Sequence, residues 1–191
     1  MEIIVFDLEF TAWEGSLERH WTGPNEFREI VEIGAVRTNT QNTAAADQYF
    51  SMLVKPRKNP ILSEYFVNLT GITQKKLDEE GVEFAGAIDA FAKFAAGASG
   101  FYAYGEDGDI VAENCGFQGL ANPLNGSPVH NVRTPLSKAY SLKRDVTSAD
   151  LPTATGLTEN SGTLRPHKAL DDARAVAHVL VPLLKSTSFS L

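Results

Sequence analysis

The segment EIIVFDLEF, residues 2–10, limits what this chain can fold into more than any other. It is rich in β-branched and aromatic residues and lacks helical spacing, so it reads as a buried strand. Side chains two apart on a strand share a face, which projects Asp7 and Glu9 together with Cα atoms about 6.5 Å apart. Phe6, Leu8 and Phe10 take the other side. Burying two like charges at the end of a hydrophobic strand costs several kcal/mol each unless a cation or a proton answers them. The competing reading is an exposed edge strand whose acidic residues face water.

The rest of the chain places this strand in a single α/β domain, residues 1–191. Residues 11–29 hold Trp13, Gly15, Trp21, Gly23 and Pro24 among charges without period, and read as a long loop. Residues 30–37 (IVEIGAVR) and 48–55 (QYFSMLVK) are two more strands joined by the polar TNTQNTAAAD segment, completing a three-stranded antiparallel meander. Ser63 can cap a short helix, Thr70 to Thr73 form a turn and cap, and residues 82–96 read as a helix with Phe84, Ile88, Phe91 and Ala95 on one face. An alternation of strand 101–104, helix 107–120 and strand 129–133 adds parallel strands. Residues 148–166 read as a loop broken by short turns, and 167–184 as the last helix, with Pro182 off its apolar stripe. No internal repeat, low-complexity tract or linker divides the chain.

Composition excludes several function classes. Lys plus Arg number 17 against 24 Asp plus Glu, a net charge of −7, so attraction to a polyanion needs a local basic patch or bound cations. The lone cysteine, Cys115, has no partner for an internal disulfide and no catalytic His pattern beside it; it reads as packing, in a reducing, cytoplasmic setting. Glu2, Asp7 and Glu9 interrupt the first apolar run, and no stretch approaches the roughly 20 apolar residues of a spanning helix, so neither a leader nor a membrane partner is expected.

Placing HKALDDARAVAHVL at 100° per residue puts Ala169, Leu170, Ala173, Val176, Ala177 and Leu180 in one stripe. Asp172 borders that stripe, whereas Asp171 lies opposite with Arg174 and His178 and is read as solvated. His167 follows Pro166 at the helix start, where it can reach over the same end of the sheet. YGEDGDI offers two aspartate carboxylates, Asp107 and Asp109, at the start of the helix read over 107–120. Counting three, four, seven and eight residues on from Asp107 gives Ile110, Val111, Asn114 and Cys115, a core-facing set. The same offsets from Asp109 give a poorer face, and a first-turn carboxylate there needs only the helix dipole.

Taken jointly, FDLEFT, EIVEIGAV, LTGIT at residues 69–73, YGED at 104–107 and H-x-A-x-x-D-A from His167 to Ala173 resemble the DEDDh 3′→5′ exonucleases, over residues 3–184. Within that family the order FDLEFT, VKPRKNPILSEYFVNLTGIT, YGED is most similar to the Eri-type branch, with ribonuclease T more distant. The resemblance implies a ribonuclease H-like mixed sheet flanked by helices, with four carboxylates holding two divalent ions. Asp7 would bridge both ions, Glu9 and Asp172 would complete the first site, Asp107 would help hold the second, and His167 would be the general base. Hard carboxylate oxygens suit Mg²⁺ or Mn²⁺, and a paired site suits phosphodiester cleavage. The substrate would be the 3′ end of single-stranded RNA or DNA, released as nucleoside 5′-monophosphates. Phe66 and Leu69, with Thr70 and Phe10 nearby, resemble the family's terminal-nucleotide contacts, and a homodimer is an expectation by analogy alone.

Other features stay open between function and packing. Trp13 and Trp21 either stack a base or cover the core edge. Lys55, Arg57, Lys58, Lys138, Lys143 and Arg144 either touch a phosphate backbone or are solvated surface charge. Rival functions are a module of the same fold that grips a 3′ end without cleaving, and an endonuclease or phosphatase using the same ions.

Overall fold

The structure, a computed structural model, describes residues 1–41, 46–142, 146–158 and 164–186. β1 (Glu2–Phe10), β2 (Ile30–Asn39) and β3 (Gln48–Lys55) form the antiparallel meander. β4 (Val82–Glu83) joins its outer edge in parallel, and β5 (Phe101–Ala103) and β6 (Val129–Asn131) extend the other side in parallel. The six-stranded order is β4-β3-β2-β1-β5-β6, so β1 is interior and both its faces are covered.

Alternation along β1 explains the layers. Ile4, Phe6 and Leu8 point into a core built with α3 (Phe84–Ala95) and α4 (Asp107–Gln118). Ile3 and Val5 point oppositely, against α5 (Arg133–Ala139), α6 (Leu151–Thr155) and α7 (Ala169–Lys185). Asp7 and Glu9 continue that second row, which brings them under the start of α7. A third cluster, with Phe66, Ile72 and Leu77 at its centre, binds α1 (Glu64–Thr70) and α2 (Gln74–Glu80) to the meander. Ser63 caps α1 by accepting from the Phe66 N–H, and Gly71 ends it with φ 67°, a left-handed turn that glycine adopts without strain.

Several element boundaries differ from the sequence reading. Residues 82 and 83 pair with β3 before α3 begins, because the β3 edge offers two unpaired backbone positions to them. The strand expected at 129–133 stops at Asn131 and gives way to α5, and the loop at 148–166 contains α6. The 11–29 segment is without helix or strand until its end, as expected. Part of the β2–β3 connection, and Lys143 and Arg144, lie outside the described residues. Among the described residues no helix is long and apolar enough to cross a membrane.

Candidate active site

The β1–β2 register sets the site's floor. Asp7 lies opposite Gly34 and Glu9 opposite Glu32, before a register shift at Phe10. A Cβ on Gly34 would sit 2.0 Å from the Leu170 nitrogen and 2.1 Å from the Ala169 carbonyl carbon. The first turn of α7 therefore rests directly on bare backbone across from Asp7, and any side chain at residue 34 would lift it off the sheet.

Three further contacts lock that turn in place. Ala169 donates its N–H to Glu32 Oε2 at 3.2 Å, and His167 donates its N–H to Asp172 Oδ2 at 3.0 Å. The Asp172 N–H in turn reaches the Lys168 carbonyl at 2.9 Å. His167 has φ 58°, an uncommon conformation for a residue with a side chain, held here by its bond to Asp172. The opposite wall comes from the start of α4. β5 pairs with β1 at Ile4 and Val5, and the buried Leu8 N–H beyond that pairing is taken by Asp107 Oδ1 at 3.2 Å.

Asp7, Glu9, Asp107 and Asp172 thus converge from three elements, with one ligand atom from each of Glu9, His167 and Asp172 lying within 4.8 Å of one another. Burial raises the Asp7 and Glu9 carboxyls well above the usual range, the surrounding charges of Asp107, Asp172 and Glu32 add to it at both, and Glu9 adds to it at Asp7. Burial also lifts Asp107 and Asp172 to about 6. Lys168 opposes the effect at Glu9. The His167 ring is half-buried, which lowers its pKa and keeps it neutral at neutral pH. Asp172 Oδ1 is buried without a hydrogen-bond partner. A buried carboxylate oxygen left open among like charges fits a hard cation, and the donor set of carboxylates with an imidazole suits a divalent ion.

Asp107 and Asp109 differ in space: Asp107 is buried with Ile110, Val111, Asn114 and Cys115, whereas Asp109 is exposed. Asn114 on that face accepts from the Ile30 N–H and donates to the Arg28 carbonyl, tying α4 to the start of β2. Cys115 is buried, consistent with packing.

Other expectations are corrected. Asp171 is 7% exposed, not solvated, because the segment entering α7 folds back over it: Arg165 donates from its backbone N–H and its Nε, and Arg174 approaches from one turn on. Phe66 is 1% exposed and belongs to the α1 core, so its ring is closed to a nucleotide. The Thr70 hydroxyl is used internally, donating to the Phe66 carbonyl and accepting from the Ile72 N–H. Leu69 remains exposed beside them. Trp21 donates to the Thr11 carbonyl and packs on Phe10 with ring centroids 5.3 Å apart, which makes it a cover for the core edge and occupies one side of Phe10. Trp13 is partly exposed. Lys58 lies over the Phe27 and Phe117 rings, Lys55 donates to the Asp78 carbonyl, and the backbone N–H groups of Arg57 and Lys58 both bind Glu29. Lys138 is exposed in the last turn of α5.

Sequence reasoning missed Glu32 and Gly34. Both lie in the quoted EIVEIGAV strand, and an interior glycine there is the available signal of a close backbone approach.

Comparison with known proteins places this geometry. The exonuclease profile named RNase T matches residues 4–180. A probable 3′-5′ exonuclease, KapD of Bacillus subtilis, is 30% identical over 90% of this chain and 78% of its own length. The 3′-5′ exoribonuclease 1 of Mus musculus is 28% identical over 96% of this chain, which spans about half, 53%, of that protein. The solved nuclease domain of 3′hExo bound to rAMP, described as a DEDDh family member, superposes with TM-score 0.77 at 25% identity, covering 96% of this chain and 92% of that one. A match across nearly the whole sheet, together with carboxylates on β1, α4 and α7, establishes that this chain belongs to the RNase T family of exonucleases.

Proposed function

We infer that this chain hydrolyses the terminal phosphodiester bond at the 3′ end of single-stranded nucleic acid and releases nucleoside 5′-monophosphates. The observation that carries the reading is the convergence of four carboxylates, with ligand atoms of Glu9, His167 and Asp172 within 4.8 Å of one another and Asp172 Oδ1 buried without a hydrogen-bond partner. Two divalent ions, Mg²⁺ or Mn²⁺, held by Asp7, Glu9, Asp107 and Asp172, would supply positive charge to the attacking and leaving oxygens. The acidic site thereby becomes compatible with a phosphate. His167, neutral because it is half-buried, accepts the proton of the attacking water on a ring nitrogen. The bond from its own N–H to Asp172 Oδ2 holds its backbone and so orients the ring over the carboxylates. Leu69, exposed at the end of α1, and the partly exposed Trp13 offer apolar surface to the terminal base. The buried thiol of Cys115 fits a reducing compartment such as the cytoplasm.

The test is a 3′-labelled single strand, RNA or DNA, incubated with the protein and Mg²⁺ or Mn²⁺. Labelled mononucleotide, abolished by chelator, supports the reading. Retained strand bound without cleavage indicates a 3′-end binding module instead, and internal fragments indicate an endonuclease.

A further inference from the structure

Beside the carboxylate site, on the β2–β3 side, lies a recess of about 400 Å³ between the α1–α2 corner and the start of α7. Lys76, Arg165 and Lys168 line it, together with Glu32 and Asp171. Both carboxylates are already engaged by the protein. Glu32 accepts from the Ala169 N–H and the Ser51 hydroxyl, and Asp171 binds Arg165 and lies 3.4 Å from Arg174. Of the cations, Arg165 is paired with Asp171, and the two lysines are less well matched. Among the described residues Lys76 meets only Glu80, at 4.0 Å and in solvent, a pair of little worth. Lys168 has no carboxylate within ion-pair distance among the described residues. Burial lowers its ammonium pKa; Glu32 and Glu9 pull it back up, while the positive charges of Lys76 and Arg165 push it down, so Lys168 stands between carboxylates and the other two cations. Gly71 forms the rim; a Cβ there would lie 3.9 Å from Lys168 Nζ.

Three cations against two carboxylates that are already engaged leave the hollow with an excess of positive charge, in a chain of net charge −7, and that excess suits an anion. The recess adjoins the cleavage site through chain neighbours on two sides: Glu32 is cross-strand from Glu9, and Lys168 follows His167. The geometry points to this recess as a seat for a second phosphate of the nucleic-acid strand, bound by Lys76 and Lys168, one phosphate away from the bond being cut. It rests on the strand-end reading above. Two parts of a strand can supply that phosphate, an internal backbone linkage or a 3′-terminal phosphate.

The experiment measures KM and its salt dependence for a ten-nucleotide single strand with a 3′-hydroxyl or a 3′-phosphate, for wild type, Lys76→Ala and Lys168→Gln. Thymidine 5′-p-nitrophenyl phosphate, which carries neither extra phosphate, serves as reference. Efficiency on the ten-mer relative to the ester should fall about three- to tenfold in each variant, mainly through KM, and the salt slope should drop by about one. If the phosphate is internal, a neutral methylphosphonate at the linkage next to the scissile one reproduces the variant effect in wild type. If it is terminal, wild type prefers the 3′-phosphorylated strand and the variants lose that preference. Lys75→Ala, on the same helix but outside the recess, should match wild type on all three substrates. Unchanged relative efficiency and salt slope in both Lys76→Ala and Lys168→Gln overturns the proposal. Should wild type cleave neither strand nor ester, the nuclease reading fails by itself. Fluorescence anisotropy of the labelled ten-mer then decides the recess by the same loss of salt slope.

Discussion

The two halves of β1 are made of the same kind of strand and do opposite things. Ile3, Ile4 and Val5 are fully buried and Phe6 nearly so, sealed between α3 on one face and α7 on the other. Further along the strand, Asp7 and Glu9 occupy the same row as Ile3 and Val5, yet burial and like charge oppose their ionisation. The first half contributes apolar burial, about 25 cal/mol per Å² removed from water. The second half spends stability to keep anionic oxygens together, as sites built to hold cations do. Stability and function therefore carry opposite signs within one strand.

The largest effects should separate those signs. Asp7→Asn is expected to reduce nuclease activity by about 10³-fold or more while the metal-free melting temperature holds or rises, since one repelling charge is gone. Ile4→Ala, on the same strand, should lose about 2–5 kcal/mol of stability in denaturant titration while its folded fraction retains activity. A destabilised Asp7→Asn would erase the contrast. On α4, Asp107→Ala should be inactive and Asp109→Ala near wild type in rate with a slight loss of stability, because only Asp107 is buried against Leu8. Equal rates for the two would place the third carboxylate elsewhere.

His167 tests the division between holding cations and moving protons. His167→Ala should slow turnover by about 10²–10⁴-fold with divalent-ion affinity in calorimetry nearly unchanged, and should remove the acid limb of the pH–rate profile. Lost ion affinity would make His167 a ligand. The smallest effect is on stability without metal. Asp107 and Asp172 titrate near 6 in the folded chain, above about 3.9 for an unfolded aspartate. The native state then binds more protons than the unfolded one between those values, so stability falls as pH rises from about 4 through about 6. In chelator, the melting temperature should be higher at pH 5 than at pH 7, with a weaker slope in Asp7→Asn. A slope of the opposite sign would show that these carboxylates are paired in the metal-free protein.

What could be read from sequence divides along the same line as the two halves of β1. Period alone places Asp7 with Glu9, Asp107 with Ile110 and Val111, and Asp172 beside the α7 stripe, because each depends on one element's own repeat. Glu32 and Gly34 matter only through what lies across from them, Glu9 in register and Ala169 in contact, and no single-element period carries that. Asp171 was misplaced for a related reason. Its helical phase does point away from the stripe, but Arg165 lies before the helix and closes over it. The short α5 and α6, of seven and five residues, have too few turns for a period to show. Phe66 and Thr70 carry the family's motif and yet are spent on capping and packing α1, so a motif position is not by itself a substrate contact.

Thermal unfolding with and without Mn²⁺ reads directly whether the carboxylate end of β1 is destabilised by its own charge until cations occupy it. Ions that bind only the folded state raise its melting temperature by mass action. Wild type and Asp109→Ala should both gain stability as Mn²⁺ is titrated into chelator-treated protein, and Asp7→Asn should gain little or nothing. An Mn²⁺-dependent shift in Asp7→Asn equal to that of wild type would show that Asp7 does not hold the ions.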